Sequence, residues 1–193
     1  NIDFKRKYSI KNNFILFLGR FHKVKGVDVL LHSIHEIKNN PLLQNIDFVI
    51  LGSDFGYEKQ MLQLIDELKI NNKVHVIKNL PRNDVVAAYN ECEFLVLPSR
   101  WELSPLTPLE GFAFKKAVIS TTAHGIPYTI KNDINSILVE PSNSHELARA
   151  IITLIQDAKF CEKLGNSGYE SVRETQNADS MVKKILKIYQ DLK

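Results

Sequence analysis

The chain has 193 residues, 44% of them hydrophobic, enough for one α/β unit to bury a full core without disulfides or metal ions. Its formal charge of +3 is the difference between 25 basic and 22 acidic residues that are mostly interspersed, which excludes the one-sided field of a general nucleic-acid binder but not a local anion site. Two cysteines (Cys92, Cys161), each in a helical-looking segment and far from any metal-ligand spacing, no apolar run near the ~18 to 20 residues that cross a bilayer, and an Asn1-Ile2-Asp3 opening unlike a basic, apolar leader together point to a cytosolic protein, or the cytosolic part of something larger.

Short β-branched and aromatic runs alternate with amphipathic stretches. Phe14 to Leu18 reads as a strand, and Val27, Leu30, Leu31 and Ile34 follow at helical steps. Asp47 to Leu51 is the next strand, followed by a helical face of Met61, Leu62, Ile65 and Leu68. Strands are expected at Lys73 to Ile77, Phe94 to Leu97, Val118 to Ser120 and Ser136 to Val139, then a helix carrying Leu147, Ile151, Leu154 and Ile155. This alternation predicts one α/β domain over 1–193, a mainly parallel sheet with helices covering it. Asn143 with Glu146, and Thr107-Pro108 with Glu110, have the offset of helix-capping boxes. The last segment, Met181 to Leu192, carries an apolar stripe at Val182, Ile185, Leu186 and Tyr189, so it should dock either on this core or on a domain outside it.

Four loops could carry chemistry. Gly19-Arg20 ends the first strand and Lys25-Gly26 opens the next helix, so both cations sit where ligands of open α/β sheets gather. A guanidinium fork and a mobile ammonium suit a diphosphate, although His22 and Lys23 nearby also fit a solvated basic loop. After the fourth strand, Pro98 to Glu110 places Glu102 and Glu110 on either side of seven residues. The helix that begins there offers free amides to an anion, with Ser104, Leu106, Thr107 and Leu109 as donors because Pro105 and Pro108 have none. In isolation Glu110 reads as the second half of a capping box with Thr107, and Glu102 as either a surface residue or a carboxylate needing a partner. Leu51 to Gly56 only loosely resembles a dinucleotide loop, and His124 in Thr121 to Pro127 reads more readily as structural than as a base.

Taken together, the cation pair, the two glutamates and their order resemble the C-terminal domain of GT-B glycosyltransferases of family 4, over nearly the whole chain. Asn1-Ile2-Asp3 echoes the turn with which that domain begins, and Trp101-Glu102 followed by Ser104-Pro105-Leu106 matches one subset of the family. The resemblance implies a Rossmann-like sheet forming the C-terminal half of a two-domain enzyme. That enzyme would transfer a sugar with retention from a nucleoside-diphosphate donor, with no obligatory metal and no cofactor beyond the donor itself. Carried over by position, Arg20 and Lys25 would hold the diphosphate beside Gly19, helped by amides around Leu106 and Thr107. Glu110 would accept from the ribose hydroxyls, Glu102 would contact the transferred sugar, Ser104 would lie in the same loop, and the base would lie near Leu80.

The implied partners are the nucleotide sugar and a sugar or lipid-linked acceptor bound by an N-terminal domain, with no nucleic acid. A lipid-linked acceptor would bring the full protein to the cytoplasmic membrane face. The sequence departs from the family at Gly111, Lys115-Lys116-Ala117, Tyr128 and Ser136, which bears on the backbone path over 111–117 and on the sugar contacts near 124–128. Three alternatives stay open: a nucleotide-sugar 2-epimerase, which shares the architecture, a flavodoxin-like or receiver-like interaction module, and a degenerate transferase half kept for assembly, which the changes at Gly111 and Lys115 would fit.

Overall fold

The computed structural model describes residues 2–192. The runs expected as strands pair into one sheet of six parallel strands. They are β1 (Asn13–Leu18), β2 (Ile46–Gly52), β3 (Val74–Lys78), β4 (Leu95–Val96), β5 (Val118–Thr121) and β6 (Ser136–Val139), in the order β3-β2-β1-β4-β5-β6. The central residues of β1 and β2 are buried on both faces, which is why these strands are continuous apolar runs and not alternating ones.

Two cores result, one on each face. Ile15 and Phe17 of β1 pack with α2 (Val27–Ile37), α3 (Glu58–Glu67) and α7 (Ser144–Gln156). Phe14 and Leu16 point the other way, toward α1 (Phe4–Lys7), α4 (Arg82–Glu91), α5 (Thr107–Ala113) and α6 (Ile126–Thr129). The Rossmann-like arrangement with helices on both faces is therefore as expected, with β4 trimmed to two residues. Asn143 caps α7 by accepting the Glu146 amide at 3.0 Å, while the Glu146 carboxylate reaches the Glu140 amide at 2.9 Å.

The helical-looking segments around Cys92 and Cys161 are α4, which ends against Cys92, and α8 (Ala158–Glu174), while nothing in the apolar spacing reveals α1. In α8 the buried positions are Leu164, Gly165 and Gly168, so the docking face is made of absent side chains as much as apolar ones. A Cβ on Gly165 would lie 2.2 Å from the Lys115 carbonyl oxygen, and one on Gly168 would lie 2.2 Å from the Phe112 ring. These contacts set α8 against the end of α5. The altered stretch over 111–117 forms an ordinary helix terminus there. The Lys116 amide bonds the Gly111 carbonyl at 3.0 Å and the Lys115 amide bonds Phe112 at 2.8 Å, with Lys115 left-handed at φ 57°. The Lys115 ammonium lies 4.9 Å above the Tyr169 ring.

α1 is held to α4 by charge. The Glu91 carboxylate accepts the Phe4 and Lys5 amides at 2.6 and 3.0 Å, and Asp84 accepts from Lys7 at 2.6 Å and from the Tyr8 hydroxyl. Asn1 lies outside the described residues; Asp3 is the N-cap of α1. The last helix, α9 (Ala178–Asp191), buries none of its residues, and Val182, Ile185, Leu186 and Tyr189 are all exposed. Its stripe does not dock on this core.

A 3-10 turn, Lys23–Lys25, joins β1 to α2 and ends at Gly26, whose φ is 69°. A Cβ there would fall 1.9 Å from the Pro98 carbonyl oxygen, so the approach of the two loops depends on this glycine. Gly26→Ala is expected to cost at least about 2 kcal/mol, from backbone strain plus the clash, read by urea unfolding; an unchanged midpoint would contradict this packing. The Lys7 and Tyr8 hydrogen bonds hold the Asp84 carboxyl below its usual range. A depressed folded-state value stabilises the protein above the unfolded-state value and loses that contribution as pH falls, so part of the stability should vanish below about pH 4. Comparing urea midpoints at pH 7 and pH 3, Asp84→Asn should show a smaller acid loss than the unaltered chain.

Candidate functional site

The strand order reverses between β1 and β4, and in sheets of this type the crevice outside the carboxyl ends of those two strands is where ligands bind. Lys25 comes from the turn after β1 and Glu102 from the loop after β4, and across that crevice they form an ion pair. Their side chains are 19% and 18% exposed, so each charge is largely removed from water and needs the other. Ser99 Oγ donates to the same Glu102 oxygen at 3.3 Å, and the Glu102 carbonyl accepts the Gly125 amide at 2.8 Å, tying in the loop after β5. Phe17, Leu97, Thr107 and Pro108 also line the crevice, whose enclosed space is about 20 Å³. That holds roughly one water, so a larger ligand must sit at the mouth or part the ion pair.

The expected capping box at α5 does not form. Leu106 is the N-cap, Thr107 is already inside the helix, and no side chain caps the first turn. The helix starts one residue too early for the Thr107 hydroxyl to reach back, which leaves the positive end of α5 without a side-chain partner beside the crevice. Glu110 instead accepts from the Tyr89 hydroxyl at 2.7 Å. Tyr89 is buried and stacks on Phe114 with ring centroids 5.1 Å apart; burial first, then the Glu110 carboxylate, hold its hydroxyl proton far above the usual range.

The other expected site residues lie around this centre. Gly19 extends the β1–β2 pairing through its amide, 3.0 Å from the Leu51 carbonyl. Arg20 is exposed and does not join the pair; its guanidinium rests 5.0 Å above the Phe55 ring. Ser104 and Leu106 are exposed in the loop before α5, and Leu80 packs half-buried against the second core. His124 sits at a left-handed φ of 44°, its ring edge-on to Trp101 at 5.7 Å. The glycine-bearing loop after β2 is occupied by its own acid. Asp54 accepts the amides of Gly56, Tyr57 and Glu58 at 2.9 to 3.0 Å, and these bonds hold its carboxyl below the usual range. That carboxylate sits where a phosphate would have to bind.

Sequence reasoning misses Arg100 and Tyr89. Arg100 forks onto Asp28 with two bonds of 2.7 Å and donates to the Lys23 carbonyl at 2.7 Å. A basic residue next to Pro98-Ser99 and an acidic one three positions after Lys25 are visible in the sequence, but nothing local joins partners 72 positions apart. A larger concavity, about 620 Å³, lies elsewhere, against α4, lined by Ile2, Asn83, Val86, Ala87, Asn90 and Glu91. It presents no cation, so the smaller crevice is the chemically equipped one. Among the described residues no helix is long and apolar enough to cross a membrane, and no cluster of three His, Cys, Asp or Glu side chains could hold a metal ion.

Comparison with known proteins identifies the fold and the family. An uncharacterized glycosyltransferase of Methanocaldococcus jannaschii is 32% identical over 183 residues, 93% of this chain and 48% of that protein. The C-terminal domain of the group 1 glycosyl transferase LpcC from Francisella tularensis superposes with a TM-score of 0.77 at 25% identity, covering 90% of this chain and 93% of that one. HepE of Anabaena, solved in complex with UDP-glucose, has the same fold, with a TM-score of 0.84 at 20% identity over 98% of this chain and 52% of its own. The chain spans about half the length of the curated relatives it matches first, 48% in each case. Residues 1–171 match the family of glycosyl transferases group 1, and the chain belongs to that family.

Proposed function

We propose that this chain is the donor-binding half of a retaining glycosyltransferase, which moves a hexosyl group from a nucleoside-diphosphate sugar to an acceptor held by an N-terminal domain. The observation that carries the reading is the meeting of Lys25 and Glu102 over the β1–β4 crevice, beside the uncapped start of α5. A cation, a free helix terminus and a carboxylate suit a diphosphate joined to a sugar. Phosphate takes the lysine and the helix amides, and sugar hydroxyls take the carboxylate.

Donor binding then exchanges partners. Lys25 turns from Glu102 to the diphosphate and Glu102 turns to the sugar hydroxyls, so neither largely buried charge is left alone. Arg20 leaves Phe55 to close on the phosphates, with amides around Leu106 and Thr107 completing the cradle beside Gly19 and Ser104. Glu110, with Tyr89 fixing one oxygen, keeps acceptor sites for the two ribose hydroxyls. The base lies near Leu80. No metal is needed, because the charge that grows on the leaving diphosphate is met by Arg20, Lys25 and the α5 dipole, in place before the bond breaks.

The half-length match supports a second domain that binds a sugar or lipid-linked acceptor, and the exposed stripe of α9 is the surface we assign to it. The full protein would then work in the cytoplasm, at the membrane face if its acceptor is lipid-linked, and this chain alone would bind donor weakly and transfer little.

Calorimetric titration with UDP, GDP and ADP tests the reading. One of the three should bind, and Arg20→Ala or Lys25→Ala should each weaken it by roughly one to two powers of ten, the equivalent of one hydrogen bond to a charged group. Heats from the Arg20→Ala/Lys25→Ala double variant equal to those of the unaltered chain would sink it.

A further inference from the structure

We propose that Arg100 is a positioning residue of this site: it holds the turn that carries Lys25 in register with the loop that carries Glu102, and does not touch the donor itself. The inference rests on the reading of Lys25 as a diphosphate ligand. Arg100 sits two residues before Glu102, and its guanidinium grips the chain on both sides of Lys25. Nη1 donates to the Lys23 carbonyl at 2.7 Å, before Lys25, and Nη1 and Nη2 donate to the two Asp28 oxygens at 2.7 Å each, after it. The Arg100 amide adds a bond to the Val24 carbonyl at 2.7 Å, and Nε reaches Ser142 Oγ at 2.9 Å in the loop that leads to α7.

The geometry separates this role from direct binding. A guanidinium has five N–H groups. Nη1 uses two of them here, Nη2 one and Nε one, so no fork remains to face a phosphate. Planar two-pronged pairing also fixes orientation as well as distance, which a lysine at the same place could not do. Across the Gly26–Pro98 contact the two loops meet with no side chain from Gly26 to set their angle. Arg100 supplies that setting by holding the turn on both sides of Lys25, and so determines where the ammonium can reach.

Two measurements test this, one of them independent of nucleotide. In the nucleotide-free protein, hydrogen exchange should read the positioning directly. The amides of Lys25 and Gly26, bonded to the His22 and Lys23 carbonyls at 2.8 and 3.2 Å, should exchange roughly tenfold faster in Arg100→Ala, while those of β1 keep their rates. Equal rates at Lys25 and Gly26 would overturn the inference. In the titration, Arg100→Ala should weaken nucleoside diphosphate binding roughly tenfold in the unaltered background and by less than about twofold when Lys25 is already alanine. An equal loss in both backgrounds would mean direct contact or general loosening, and would also overturn it. If Arg100→Ala does not fold, Arg100→Lys serves in both experiments, with smaller changes of the same pattern expected. A chain that binds none of the three diphosphates removes the functional reading, and the exchange rates at Lys25 and Gly26 then decide by themselves whether Arg100 positions the turn.

Discussion

A lysine and a glutamate that water reaches only in part must face each other, and this constraint shapes the carboxyl edge of the sheet. Separating them without a substitute would strand two charges in a poorly solvated crevice, at a cost of several kcal/mol. The surrounding structure keeps them together. Gly26 lets the Lys25 turn press against the Pro98 carbonyl, Ser99 gives Glu102 a second bond, and the Glu102 carbonyl is tied to the Gly125 amide in the loop after β5. A ligand that replaces both partners at once, with an anion for the lysine and hydroxyls for the carboxylate, opens the pair at the least cost.

The sheet and its faces are legible in the sequence because they follow from burial. Continuous apolar runs such as Phe14 to Leu18 suit strands covered on both sides, and all six strands appear within a residue or two of the runs that announce them. Where docking depends on small residues, the segment looks helical but its buried face is not legible. α8 packs through Gly165 and Gly168, which leave no apolar signature, and α4 packs through Ala87 and Ala88. The short α1 forms because Glu91, far along the chain, accepts its first amides, and no local pattern announces that.

At the site, the residues that carry charge are readable and their partners are not. Glu102 between two apolar neighbours asks for a partner, but the spacing does not say that it is Lys25. Thr107 and Glu110 have the offset of a capping box, yet the helix begins at Thr107 itself and the glutamate goes to Tyr89, so a sound local pattern loses to tertiary packing. The departures from the family pattern prove mostly structural. Lys115 closes α5 in the left-handed region and rests on Tyr169, and Ser136 turns its hydroxyl to the Lys131 carbonyl at 2.9 Å. Tyr128, 86% exposed, has no such role, and stands at the edge of the loop that holds His124.

On the proposed function, Lys25 and Glu102 exchange each other for the two ends of a donor. A crystal structure of the protein with a nucleoside-diphosphate sugar bound tests it most directly. Diphosphate oxygens are expected within hydrogen-bonding distance of the Lys25 ammonium, with sugar hydroxyls on Glu102 and the pair separated. A bound donor that leaves the Lys25–Glu102 ion pair intact, with its phosphates elsewhere on the chain, would contradict it.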